Sequence, residues 1–75
     1  MSRFPTIRAA ELVRFLKAHG WVHDRQRGSH LILRNPATRQ SVAVPVHTGY
    51  DIGRGLALQI LKQAGFEAGD FLNWR

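Results

Sequence analysis

Apolar residues between Ala9 and His19 recur at intervals of three and four, which is the spacing of one face of an α-helix. Gly20 follows at a position where helices commonly end. A second run with the same spacing extends from Ala57 to Ala64 and is also followed by a glycine, Gly65. The pattern therefore predicts two amphipathic helices, one near each end of the chain.

The middle of the chain contains three short runs that are typical of strands. We predict strands at Trp21 to Gln26, His30 to Arg34 and Ser41 to Val44. The connections between them contain Arg27-Gly28, where glycine can supply a positive φ, and Asn35-Pro36, a turn-forming pair. Such short connections favour a three-stranded antiparallel meander.

The order of these elements indicates an α+β fold, α-β-β-β-α, in which both helices cover one face of the antiparallel sheet. The other face of the sheet is then open. On the second strand, alternation groups Leu31 with Leu33, while His30, Ile32 and Arg34 point the opposite way. If the leucines face the helices, His30 and Arg34 face solvent.

A chain of 75 residues provides one hydrophobic core, so we expect a single domain over residues 1–75. A polar loop is predicted from Val46 to Arg54, and a short helical turn in the aromatic tail after Gly65. The sequence has no cysteine, which excludes disulfides and thiolate metal sites. It also lacks the apolar runs of a signal peptide or a membrane span, so we expect a soluble, cytoplasmic protein that does not bind membranes.

The chain is strongly basic, with 11 Lys and Arg against five Asp and Glu and a net charge of +6. Nine of the 11 cations are arginines, whose planar guanidinium groups can contact phosphate through two hydrogen bonds. The composition thus favours a phosphate-rich partner such as RNA. The alternative is that the charge serves solubility alone.

The segment Arg25-Gln26-Arg27-Gly28-Ser29-His30 brings two arginines, a hydroxyl and an imidazole to one predicted hairpin turn. Arginines bind phosphate, glycine lets the backbone approach a ligand, and histidine exchanges protons near neutral pH. RNA carries its own nucleophile, the 2′-hydroxyl, so a positioned histidine and cationic groups could suffice for slow cleavage. Against this, a single surface histidine is most often only a solvated polar residue.

Four segments in the same order resemble the HicA toxin family: Gly20-Trp21, Arg25 to His30, Val44-Pro45-Val46-His47 and Ile60 to Gly65. The likeness runs through almost the whole chain. It implies a double-stranded-RNA-binding-like fold, an endoribonuclease toxin that cleaves mRNA and inhibits translation, and a HicB-type antitoxin that covers the active surface. The histidine of the family's Gly-Ser-His motif falls on His30, which the resemblance makes the catalytic residue.

Around this histidine we expect a set of RNA-contacting residues that are cationic or belong to the turn: Arg25, Arg27, Gly28, Ser29, Arg34 and Lys62. The chain departs from the family at the second helix, where Leu56 and Leu58 stand in place of a Thr and an Arg found in many relatives. Capping of that helix is therefore expected from another residue, such as Asp51.

A metal site is not expected, because the four histidines lack the spacing to one another and to carboxylates that metal sites use. No cofactor is expected either. The second proton carrier of a cleavage reaction stays open between His47, Tyr50, Lys62 and water. His19 is expected only to interact with the C-terminal end of the first helix, and Trp21 to anchor the core.

Two further functions remain open on the sequence alone. The chain could be a non-catalytic RNA-binding module that uses the same fold and charge. It could also be a protein-interaction subunit whose basic face docks an acidic partner.

Overall fold

The computed structural model describes residues 4–46 and 51–75 and confirms the predicted order of helix, three strands and helix. The first helix, α1, spans Ala9–Ala18, and the second, α2, spans Arg54–Gln63. A third helix, α3, follows at Ala68–Trp74, where the sequence predicted a short helical turn.

Both long helices end in the same way. At the end of α1, Gly20 has a φ of 94° and the Trp21 N–H donates to the Leu16 carbonyl at 3.0 Å. At the end of α2, Gly65 has a φ of 87° and the Phe66 N–H donates to the Leu61 carbonyl at 2.8 Å. These are Schellman motifs, in which glycine adopts the left-handed conformation that other residues avoid. Each motif also turns an aromatic side chain back toward the core.

The three predicted strands form an antiparallel meander. The strand β2 covers Val22–Arg27, β3 covers His30–Asn35 and β4 covers Gln40–Pro45, with the order β2-β3-β4 in the sheet. The helices α1 and α2 both contact β4. The sheet therefore has one face covered by helices and one open face, as the element order predicted.

Two short strands were not predicted. The first strand, β1, is Ile7–Arg8, and it pairs antiparallel with β5, Asp51–Ile52. This ribbon occupies part of the segment from Val46 to Arg54 that was predicted as a loop, and α2 already begins at Arg54. Ile7 and Ile52 face each other in the ribbon and are both buried, so burial of this pair explains why the chain pairs here.

Two sequence-based expectations near the helix ends were wrong. Asp51 does not cap α2; it pairs with Arg8 in the ribbon, and the N-cap residue is Gly53, without a side-chain hydrogen bond. Trp21 does not begin the first of the three predicted strands, because that strand, β2, starts at Val22. It lies in the connection before β2 and is only 2% exposed, which confirms its expected role as a core anchor.

The core lies between the helices and the covered face of the sheet. Leu33 is fully buried and Leu31 packs against the core, which confirms that these leucines face the helices. Within residues 4–46 and 51–75 the core is made of apolar side chains: Phe4, Ile7, Ala9, Leu12, Phe15, Leu16, Trp21, Leu33, Val42, Val44, Ile52, Ala57, Ile60, Leu61 and Phe71. Among the described residues, no helix is long and apolar enough to cross a membrane.

The helix α3 closes the core at the chain termini. The Phe71 ring is fully buried, 5.3 Å from the centroid of Phe15 and 5.9 Å from that of Phe4. The Arg75 guanidinium forms an ion pair with Glu11 of α1, with Nε 2.9 Å from Oε2. The C-terminal helix is thus fixed to α1 by aromatic packing and by one charged contact.

Candidate functional site

Most of the predicted site residues lie at or next to the hairpin between β2 and β3. His30 is the first residue of β3 and lies directly opposite Arg27, the last residue of β2. Gly28 and Ser29 form the turn, and Gly28 has a φ of 57°, as predicted for this position. A positive φ at the first of two turn residues is the requirement that selects glycine in such hairpins.

Hydrogen bonds hold the turn from both sides. The Gln26 side-chain Nε2 donates to the Gly28 carbonyl at 2.9 Å. The Val46 N–H donates to the Ser29 carbonyl at 2.8 Å and so extends the ladder between β3 and β4 by one bond. The backbone around the Gly-Ser-His motif is therefore held on both neighbouring strands, which fixes the start of β3 and the position from which His30 projects.

Cross-strand pairing arranges the open face in three rows, because residues directly opposite each other in antiparallel strands share a face. From the hairpin end the rows are Arg27–His30–Pro45, Arg25–Ile32–Ala43 and Val22–Arg34–Ser41. His30 and Arg34 are exposed, as predicted. They are four residues apart on one strand, which corresponds to roughly 13 Å.

A β-bulge sets this arrangement. The register of β2 against β3 shifts between His23 and Arg25, which leaves Asp24 without a partner on β3. Because of the bulge, Val22 lies opposite Arg34 while Arg25 keeps its place opposite Ile32. The bulge therefore sets which residues of β2 share the open face with His30.

An open depression of about 320 Å³ lies on this face, next to the hairpin. Four side chains line it: Arg27, His30, Ile32 and Ala43. Arg27 and His30 supply a permanent positive charge and an imidazole, whereas Ile32 and Ala43 supply an apolar surface. The depression thus joins a cationic edge, a group able to transfer protons and an apolar patch.

The arginines around the depression differ in whether an acidic side chain pairs with them. Arg25 forms an exposed ion pair with Asp24, with Nη1 3.4 Å from Oδ2, and its side chain is 60% exposed. Such surface pairs contribute little, about 0–1 kcal/mol. Within residues 4–46 and 51–75 the ion pairs are this one and Arg75–Glu11, so Arg27 and Arg34 take part in neither. These two arginines are the cations of the open face that have no acidic partner in that part of the chain.

Not every predicted residue joins this site. Lys62 is exposed in the last turn of α2, a helix that packs on the covered face of the sheet, whereas His30 projects from the open face. His47 and Tyr50 lie outside the described residues. Ile32 and Ala43 received no functional role from the sequence, although Ile32 was predicted to point to the open face. An apolar residue on the open face of a strand was the signal that could have indicated them.

The other histidines have structural surroundings. His19 is the C-cap residue of α1, and its Nδ1 donates to the Phe15 carbonyl at 2.8 Å, in agreement with the expected interaction at the helix end. His23 is exposed on β2 opposite Leu33 and so belongs to the other face of the sheet from His30. In the described ranges, no group of three or more His, Cys, Asp or Glu side chains is arranged to hold a metal ion.

Comparison with known protein families gives a match over most of the chain. A family model described as the HicA toxin of bacterial toxin–antitoxin systems matches residues 9–66. The search of curated proteins found no match. The matched segment runs from the start of α1 to the glycine and phenylalanine that end α2, and it includes the hairpin with His30 but not α3. Because the match covers most of the 75 residues, the chain belongs to the HicA family of bacterial toxins, which implies an antitoxin as its partner.

Proposed function

We propose that this toxin is an endoribonuclease that cleaves mRNA, inhibits translation and is neutralised by a HicB-type antitoxin. The observation that carries the proposal is the pairing of His30 with Arg27 across a two-residue turn, at the edge of an exposed depression. In this arrangement an imidazole and an uncompensated guanidinium can reach the same ribose–phosphate linkage from solvent.

The proposed reaction uses the 2′-hydroxyl of RNA as the nucleophile. His30 removes the proton from this hydroxyl, the 2′ oxygen forms a bond to phosphorus, and the bond from phosphorus to the 5′ oxygen breaks. The leaving 5′ oxygen takes up a proton, from His30 or from water, so the products are a 2′,3′-cyclic phosphate and a 5′-hydroxyl. General acid–base catalysis of this kind contributes about 10²- to 10⁴-fold in rate.

The cations would bind the phosphate and stabilise the charge that develops on it. Arg27 is directly opposite His30, and its guanidinium can hold two phosphate oxygens. Arg25, in the next row, adds a weaker contact because Asp24 partly compensates its charge. Gly28 and Ser29 let the turn backbone approach the phosphate, and Arg34 contacts the RNA further along the strand. Contact by Lys62 requires RNA that extends past the edge of the sheet.

The test compares two histidine substitutions on the same hairpin. We expect expression of the wild-type chain to arrest growth and degrade transcripts, and His30→Ala to abolish both effects by removing the proton carrier. His23→Ala is the matched control, because His23 is equally exposed but belongs to the other face. Growth and transcript integrity are recorded, and circular dichroism checks the fold. An intact fold with undiminished cleavage in His30→Ala would refute the catalytic role.

The products test the route independently. Cleavage by the purified protein should continue in the presence of a chelator, because the 2′-hydroxyl route needs no metal ion. The chemical group on the 3′ end of the upstream fragment is identified by mass and by whether that end can be ligated. A 3′-hydroxyl product would exclude attack by the 2′-hydroxyl.

A second candidate function is an RNA-binding module that does not cleave. It is favoured by one observation: the residues paired with His30 are Arg27 and Pro45, and neither an arginine, which cannot be deprotonated in proteins, nor a proline can serve as a second proton carrier. This alternative predicts salt-sensitive binding of a labelled transcript without strand scission. A third, a basic docking surface for an acidic protein, predicts that excess RNA does not displace the antitoxin.

A further inference from the structure

We propose that the depression beside His30 receives an unpaired nucleobase, so that the toxin acts on single-stranded segments of RNA and not on duplexes. This inference rests on the proposed ribonuclease function and specifies the substrate of the same site. It assigns a role to Ile32 and Ala43, the two lining residues that proton transfer and phosphate binding leave unused.

The order of the rows on the open face places an apolar surface between the cationic residues. Ile32 and Ala43 lie in the middle row, between the row of Arg27 and His30 and the row of Arg34. Neighbouring rows are two residues apart along β3 and β4, roughly 6.6 Å. A nucleotide bound with its phosphate at Arg27 thus has its base within reach of Ile32 and Ala43, the two apolar residues of the middle row, while Arg34 is placed for the backbone beyond it.

The surface of an RNA duplex does not match the lining of the depression. An RNA duplex presents phosphates and 2′-hydroxyls on its surface and keeps its bases stacked inside. Phosphates gain nothing from an apolar patch, and a duplex would bury Ile32 against charged groups. An unpaired base matches both parts of the depression, because its flat face covers the apolar side chains and the planar Arg27 guanidinium can stack on it.

The geometry of the proposed reaction also favours an unpaired nucleotide. Attack by the 2′ oxygen requires that it lie in line with the bond to the leaving 5′ oxygen, a geometry that regular helical stacking does not provide. A base that has left the stack frees its nucleotide to rotate into line. Holding that base in the depression then fixes the rotated nucleotide beside His30, which is the positioning that accelerates such reactions.

Binding measurements distinguish a contact with the base from attraction to the charge of the RNA backbone. The His30→Ala protein is titrated with an unstructured RNA of about 12 nucleotides, and with the same RNA annealed to its complement. Because a duplex carries twice the phosphates, charge alone predicts tighter binding to the duplex. We expect the opposite order, with the single strand bound about tenfold more tightly or better, since one base contact is commonly sufficient for that factor.

A matched pair of substitutions locates the contact. Ile32→Thr keeps the branch at Cβ but replaces the ethyl group with a hydroxyl, and it should reduce the preference for the single strand about tenfold. Val22→Thr is the same kind of change on the same face, opposite Arg34 and outside the lining of the depression, and should leave the preference unchanged. Thermal unfolding of both variants verifies that the fold persists.

The outcomes distinguish this inference from the proposed function. Tighter binding of the duplex, or equal effects of Ile32→Thr and Val22→Thr, would overturn the inference and leave the nuclease function in place. Binding with the expected preference but no cleavage by the wild-type chain would support the base site and refute the nuclease. If neither RNA binds, both proposals fail.

Discussion

Gly28 and Gly55 are both exposed, and an added Cβ would meet no atom within 4 Å at either position. Their backbones differ, since Gly28 has a φ of 57° in the hairpin turn and Gly55 lies in α2. Gly28→Ala should therefore destabilise the fold by about 1–2 kcal/mol through left-handed strain alone. Gly55→Ala, the matched control, should stabilise it by up to about 1 kcal/mol, because alanine favours the helix.

Urea unfolding of the two variants measures both changes. Opposite signs would attribute the requirement for glycine in the turn to the φ of Gly28 and not to a crowded environment. Equal stability of Gly28→Ala and the wild-type chain would contradict the assigned strain, and with it the fixed geometry that positions His30 after the turn.

At the scale of residues, the sequence predicted the hairpin but not the details of β2. The positive φ of Gly28 and the exposure of His30 follow from turn chemistry and alternation, both of which are local. The bulge at Asp24 has no such signal, because it depends on the register of two strands. The ion pair of Asp24 with Arg25 was likewise not predicted, and it gives Arg25 an acidic partner that Arg27 lacks among the described residues.

At the scale of elements, α3 lies outside the family match and yet carries part of the core. Phe71→Ala should cost about 3–5 kcal/mol, because the Phe71 ring is fully buried against Phe15 and Phe4. A domain of this size commonly has only about 3–5 kcal/mol of stability in total. We therefore expect Phe71→Ala to lose its cooperative thermal transition.

Leu72→Ala is the control for this prediction. Leu72 follows Phe71 directly in α3 but is 39% exposed, so its replacement should change the free energy of unfolding by less than about 1 kcal/mol. Calorimetry of the two variants provides the comparison. A normal transition in Phe71→Ala would show that α3 is dispensable for the fold.

The long helices could be predicted from the sequence, whereas the shortest strands could not. The helices α1 and α2 repeat their apolar spacing over several turns and end at glycines, so their positions followed from the sequence. The strands β1 and β5 have two residues each, too few for any period to appear, and their pairing joins residues more than 40 positions apart. The same contact displaced Asp51 from its expected role as a helix cap.

At the scale of the whole molecule, the net charge of +6 does not say which surface would bind the proposed RNA partner. The open face carries Arg27 and Arg34, which take no part in the two ion pairs of the described ranges, whereas α1 carries Arg14 on the covered side of the sheet. Composition could predict the chemical class of the partner. Only the fold shows that Arg27 and Arg34 lie on one surface and Arg14 on another.

Arg34→Gln and Arg14→Gln each lower the net charge by one, and both residues are exposed. If RNA lies along the open face, Arg34→Gln removes a phosphate contact. The slope of log K against log salt should then decrease in magnitude by about 0.7 for a single strand. Arg14→Gln should leave the slope unchanged, because Arg14 projects from α1. Filter binding over a range of salt concentrations measures both slopes. Equal losses in the two variants would mean that RNA responds to the overall charge, and the open face would no longer be supported as the binding surface.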